Sequence, residues 1–409
     1  MKTFVKEHWV KISLIGLVFC ILLGQYEYKM PKRRFADFHV YYYTGQKMLK
    51  GENVYDAKAY REDGIANFKY PPLFALFTSL FALTNELAAA TIWFILNYIF
   101  LILFMFYSGK LIFSKEQDYK YRNWIYFWSL FMTSRFCLDN FTEGQVNFLM
   151  MATLLLGLYF ANKKKDLLGG MFIGFSIFIK YMGLIFLPYL IIKKRFKLAF
   201  FIILSFILFS MLPILFLGWQ RNLSLQNDYL PQVFSTSLDF SSLSDYSNQS
   251  IWSIILRYLS THGNYGINLF SLSDYNLGII SGFIVCLLFF ICLIKGRYRS
   301  KDDAMLEVID LGIILTLVAL LNPNAWLHAF IFLVFGYMVV FDYLFKNGFK
   351  DRLVLSLVVL SFILHSFTSS FFTLSWAGKS FQIYSFVALG ALAQFVSLCK
   401  IKFYPRGSC

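Results

Sequence analysis

The chain has 409 residues, 58% of them hydrophobic and only 15% charged, with a mean hydropathy of +0.59. Soluble domains run at about 45–50% apolar and about 25% charged, which excludes a soluble domain and makes a multi-pass membrane protein the expectation. The net charge of +15 would suit nucleic acid, but the basic residues sit in short runs between apolar segments: Lys163-Lys164-Lys165, Lys193-Lys194-Arg195, Lys295 to Lys301 and Lys346 to Arg352. Cytoplasmic loops carry such runs under the positive-inside rule, so no nucleic-acid partner is expected.

Low-complexity linkers and blocks long enough for a separate soluble domain are both absent, and residues 1–409 read as one integrated transmembrane domain. The N-terminus carries Lys2, Lys6 and Lys11 ahead of an apolar run ending at Gly24, and no small-residue cleavage site follows it. It reads as an uncleaved first transmembrane helix. The six cysteines are scattered, four of them (Cys20, Cys286, Cys292, Cys399) in apolar runs, without CxxC or metal-ligand spacing. They read as small buried hydrophobes, and neither a disulfide framework nor a metal site is expected.

A helix needs roughly 17–25 apolar residues to cross the hydrocarbon. Candidate spans lie at 9–24, 87–113, 123–138, 145–161, 167–180, 181–192, 198–217, 272–295, 305–321, 327–345, 353–371 and 379–399. That makes about twelve, in an all-α polytopic protein of the cell (inner or plasma) membrane with both termini cytoplasmic. Parity places 71–84, short and introduced by Pro71-Pro72, at the outer interface as an amphipathic or re-entrant helix. The same rule demands two passes from 167–192, as short helices meeting near Lys180-Tyr181. The extracytoplasmic side then holds a first loop region at 25–86 with interfacial helices, and a second long loop at 218–271.

Chemistry-bearing residues gather in those outer segments. Asp37 follows the first helix in Arg33-Arg34-Phe35-Ala36-Asp37-Phe38-His39. It is either a solvated loop carboxylate or a general base positioned to take a proton from an attacking hydroxyl. His39 would share a face with Asp37 in a strand and could support it, or is a plain loop histidine. Lys180 ends a run without charges, where it either snorkels to the interface or meets a lipid phosphate. Gly170 and Gly174 form GxxxG, read as helix packing rather than a phosphate loop. Gln145 and Asn147 sit where the fourth span begins, which serves as a helix start or as a polar lining. In the second loop, Asn248-Gln249-Ser250 precedes Arg257; amides suit sugar hydroxyls and arginine suits phosphate. The triplet is also a glycosylation sequon. The tip Asn322-Pro323-Asn324-Ala325-Trp326-Leu327-His328 offers His328 as a contact for phosphate or sugar, or as a buried histidine. Walker, Rossmann, HExxH and serine-triad signatures are absent.

The succession of these motifs, with Gly51…Tyr55 and Tyr70-Pro71-Pro72-Leu73 among them, extends over residues 35 to about 330 and resembles glycosyltransferase family 87 of the GT-C superfamily, the polyprenyl-phosphate-mannose-dependent mannosyltransferase-like membrane enzymes. The last motif departs from the family form, since Ala329 stands where a second histidine is usual. The resemblance implies a GT-C fold and an inverting transfer of a sugar, mannose above all, from a polyprenyl-phosphate donor to a lipid or glycan acceptor. It implies Asp37 as the base. Lys180, Arg257 and His328 are then the candidates for the donor phosphate, with Gln145, Asn147, Asn248, Gln249, His39 and Tyr70 as further binding residues. With a lipid phosphate as leaving group, no metal or other cofactor is required, and the expected partners are donor, acceptor and membrane lipids around a monomer. Two rivals stay open: a flippase or transporter of lipid-linked saccharides, which should show inverted repeats, and an O-antigen ligase- or polymerase-like protein.

Overall fold

A computed structural model of the protein describes residues 35–56, 67–113, 120–294, 303–369 and 373–404, together with Gly24. The expected first span, Arg33, Arg34 and the basic run 295–301 lie outside the described residues. Among the described residues the chain is helical, without strands. Among the described residues, five helices are long and apolar enough to cross a membrane: Glu86–Ile112, Phe196–Leu217, Asp274–Leu293, Leu327–Lys346 and Phe386–Phe403. A sixth forms if Ser134–Glu143 and Asn147–Asn162, bent by 118° at the break between them, count as one span.

Several of the twelve apolar segments are shorter or interrupted. Residues 123–138 are divided at Thr133 between Arg122–Met132 and Ser134–Glu143. Residues 379–399 are divided at Tyr384-Ser385, where Ser385 takes a φ of 63° that no helix continues through. Hydropathy counts apolar residues and is blind to such breaks. The break in 167–192 falls where parity required it: the Asp166–Ile179 helix stops, Lys180 is extended, and a 3-10 turn Tyr181–Ile185 leads into Phe186–Ile192.

The chain packs as two compact units. The first takes the described residues of Met1–Tyr107, Cys137–Lys180 and Phe201–Gln232. Its first described element, the helix Ala36–Lys50, carries Asp37 in the first turn and Lys47 and Lys50 in the last, matching the helix dipole at both ends. Gly51 closes it in the left-handed conformation at φ 81°, with its N–H and that of Glu52 returned to Met48 and Lys47. The helix buries Phe38, Tyr41, Tyr42 and Met48. Gly45 permits a close approach of Pro72–Ser79, because a Cβ there would meet the Thr78 carbonyl oxygen at 2.4 Å. The short segment after Pro71-Pro72 is thus a helix laid on the first loop helix, with its 3-10 continuation Phe81–Leu83. Helices Asn147–Asn162 and Asp166–Ile179 pack through Gly157 and Gly169. Added Cβ atoms at Gly170 and Gly174 would strike Phe201 at 2.4 Å and Ser205 at 2.8 Å, so this glycine pair serves helix packing.

The second unit takes Ser108–Phe136, Tyr181–Phe200 and the described residues of Val233–Cys409. Its core is the almost fully buried helix Leu333–Lys346 with Asp303–Leu321 and Phe386–Phe403. Within it the carboxylate of Asp310, 1% exposed, takes Lys193 Nζ and Lys402 Nζ, each at 2.8 Å. Lys402 also donates to the Cys292 carbonyl at 2.7 Å. A buried carboxylate is tolerable only when its charge is answered in this way.

Candidate active site

Two backbone breaks in the first unit build the site. The helix Ser134–Glu143 ends at Gly144, whose φ of 68° suits a glycine, and the Gln145 N–H returns to the Asn140 carbonyl at 2.9 Å. A Cβ at Gly144 would meet Phe38 at 2.9 Å and Phe35 at 3.0 Å, so the turn lies directly against the start of the helix that carries Asp37. Trp93 donates its indole N–H to the Gly144 carbonyl at 2.7 Å and stacks on Phe38 at 6.3 Å between ring centroids. The second break is at Lys180, which leaves the end of Asp166–Ile179 in an extended conformation.

These breaks bring five of the candidates named from sequence into one network. Gln145 donates from Nε2 to Asp37 Oδ2 and accepts at Oε1 from Lys180 Nζ at 2.9 Å. Lys180 gives a second hydrogen bond to Asn147 Oδ1 at 3.0 Å, and its ammonium lies 5.5 Å from the centre of the Tyr70 ring. Asn147 is fully buried and donates to Asn140 Oδ1 at 2.9 Å, which turns its own oxygen toward the lysine. Asp37 and Lys180 are each half-buried.

Beneath them the hydroxyls of Tyr41 and Tyr70 share a hydrogen bond of 2.7 Å, and Tyr55 donates to the Tyr70 carbonyl at 2.7 Å. Burial pushes both phenols of the pair well above their ordinary pKa, and the charge of Asp37 pushes them further. Tyr41 and Tyr70 are therefore neutral hydroxyls near pH 7, and among these groups the carboxylate is the one equipped to accept a proton. Tyr41, Asn140 and Trp93 were missed by sequence reasoning. Tyr41 is one of three consecutive tyrosines, and only the helical register shows which one meets Tyr70.

His39 stands apart. Residues 36–50 form a helix and not a strand, so His39 lies about 200° round the axis from Asp37. Its Nδ1 pairs with Glu86.

The remaining candidates belong to the second unit. Asn248 is fully buried: its Nδ2 donates to the carbonyls of Leu243 at 3.0 Å and Pro323 at 2.7 Å, and its Oδ1 accepts from the Ala325 N–H at 3.1 Å. Gln249 donates to the Tyr246 carbonyl at 2.6 Å and the Gln382 carbonyl at 2.8 Å. Two sequence signals, 248–250 and 322–325, thus meet as a clamp made of backbone and amide hydrogen bonds. Arg257 is 1% exposed, with Nη1 donating to the carbonyls of Asp245 at 2.7 Å and Asn248 at 2.9 Å, and Nη2 to Ser385 Oγ at 2.7 Å. Burial lowers this guanidinium to about 10, still charged near neutrality. Two of these hydrogen bonds hold loop carbonyls and the third holds Ser385. Arg257→Leu should therefore destabilise the fold by about 1–3 kcal/mol for each carbonyl left buried without a donor. Thermal unfolding in detergent checks this, and an unchanged midpoint would remove the structural role. His328 is half-exposed in the 3-10 turn Leu327–Phe332, beside Trp326 at 6.4 Å between ring centroids. Among the described residues, no group of three His, Cys, Asp or Glu side chains is arranged to hold a metal ion.

No curated protein and no solved structure matches the chain. The family model of glycosyltransferase family 87 matches residues 68–323, more than half of the chain. Tyr70, Gln145, Asn147, Lys180, Asn248, Gln249 and Arg257 fall inside the match; Asp37 and His39 precede it and His328 follows it. A polytopic helical chain with this match belongs to glycosyltransferase family 87.

Proposed function

We propose that the protein is an inverting GT-C glycosyltransferase that moves a sugar, mannose in the first instance, from a polyprenyl-phosphate donor to a lipid or glycan acceptor at the extracytoplasmic face of the cell membrane. The observation that carries this reading is one side chain, Gln145, joined to both Asp37 and Lys180. A carboxylate and an ammonium held side by side supply the two charges such a transfer needs. The acceptor oxygen attacks the anomeric carbon from the face opposite the phosphate, and its proton passes to Asp37. The bond from that carbon to the phosphate oxygen breaks, and its electron pair leaves on the lipid phosphate. Lys180 meets the growing negative charge there, since Gln145 and Asn147 take two of its three N–H donors and one is left for the phosphate.

The broader arrangement in this reading is about twelve spans with both termini cytoplasmic, acting as a monomer without a metal. Family membership favours a transferase over a flippase or transporter. Purified protein in nanodiscs, given polyprenyl-phosphate-mannose and a membrane-lipid extract, should release polyprenyl phosphate and form a mannosylated product of inverted anomeric configuration. Transfer from a nucleotide sugar but not from the lipid phosphate would overturn the donor class.

A further inference from the structure

Gln145 was expected to line a binding site, yet both ends of its amide are already engaged within the protein. Only one orientation satisfies them: the NH2 group faces the carboxylate of Asp37 and the oxygen faces the ammonium of Lys180. Asn147, oriented by Asn140, presents its oxygen to the same ammonium from a second side. The amide is 4% exposed, and Gly144 before it is locked against Phe35 and Phe38. The side chain is thus fixed at its backbone and at both polar ends. Among the described residues, the titratable groups that face Asp37 include Tyr41 on its own helix, Tyr70 and Lys180.

A carboxylate and an ammonium this close in a partly desolvated site would collapse into a direct ion pair if nothing lay between them. Such a pair weakens the carboxylate as a base and occupies the donor that the phosphate needs. We propose that Gln145 is a positioning residue that keeps Asp37 and Lys180 apart. It gives the base a neutral amide hydrogen bond on the side where the ammonium would otherwise sit, and holds the lysine aimed at the donor phosphate. The assignment rests on the reading of Asp37 as base and Lys180 as phosphate contact.

Two substitutions test it in opposite directions. Gln145→Met keeps the volume and removes the bridge, so Asp37 and Lys180 pair directly. Turnover should fall about tenfold or more, the donor KM should rise, and the acidic limb of the pH–rate profile should move to lower pH. Gln145→Glu places a second carboxylate beside the base, and the acidic limb should move to higher pH by about one unit or more. A side chain that only filled space would leave the pH profile in place in both variants, and that result in folded protein overturns the proposal.

Stability supplies a readout independent of turnover. In Gln145→Glu the paired carboxylates carry a raised folded-state pKa, so stability present at low pH is lost as pH rises through it. That loss should vanish in the double variant Asp37→Asn/Gln145→Glu. If the unfolding midpoint follows pH identically with and without Asp37, Gln145 does not act on the base. Should the wild type release no polyprenyl phosphate from any sugar donor, the proposed function fails, and the unfolding comparison alone decides the placement of Gln145.

Discussion

Asp37→Asn is expected to lower sugar transfer by about 10²–10⁴-fold with little change in the donor KM. Asparagine keeps an oxygen to accept the Gln145 N–H, so the network and the fold should survive the change. The variant lacks only the basicity. Tyr41 and Tyr70 cannot substitute, because burial alone holds both phenols protonated. Transfer of labelled sugar from polyprenyl-phosphate-mannose in nanodiscs measures the loss, with thermal unfolding as the control for folding. A rate near wild type in Asp37→Asn would remove the carboxylate from the mechanism.

Lys180→Met should have the second largest effect, about 10²–10³-fold on turnover, together with a raised donor KM. The lysine is half-buried at the end of an apolar helix, where insertion scales charge roughly 2.5–3.5 kcal/mol for a cation. Two amide oxygens and the Tyr70 face answer part of that cost. Methionine removes the charge and its desolvation burden but leaves the buried oxygens of Gln145 and Asn147 without this donor, so thermal unfolding is followed beside turnover. Steady-state kinetics with donor varied separate the two effects. Unchanged kcat and KM would leave the phosphate without this partner.

Much of the site was legible before the structure. The run of apolar residues that stops at Lys180 pointed to a helix break there, since parity needed two passes and polar backbone needs a place to end. Glu143-Gly144-Gln145 reads as a turn because glycine supplies the left-handed residue, and Gly144 does so. What the sequence could not show was distance between segments. Gln145 and Lys180 are 35 residues apart and Gln145 and Asp37 are 108 apart. No local pattern says that one amide faces both. The reading of Asp37 and His39 on a shared face depended on a strand, and the helical period separates them. Arg257 looked like a phosphate ligand by residue type; only its hydrogen bonds show that the loop carbonyls use it. The apolar segments 123–138 and 379–399 looked continuous because composition does not register a residue such as Ser385 at positive φ.

The order of the network along the chain bears on how the protein is made. Asp37, Asn140, Gln145 and Asn147 all precede Lys180, and a ribosome delivers them first. When the lysine leaves the ribosome, its amide partners have already been synthesised. Lys180 thus arrives last, into a turn that Gly144 and Trp93 can already have formed. Were the order reversed, the lysine would have to wait at the membrane boundary for partners still in the exit tunnel.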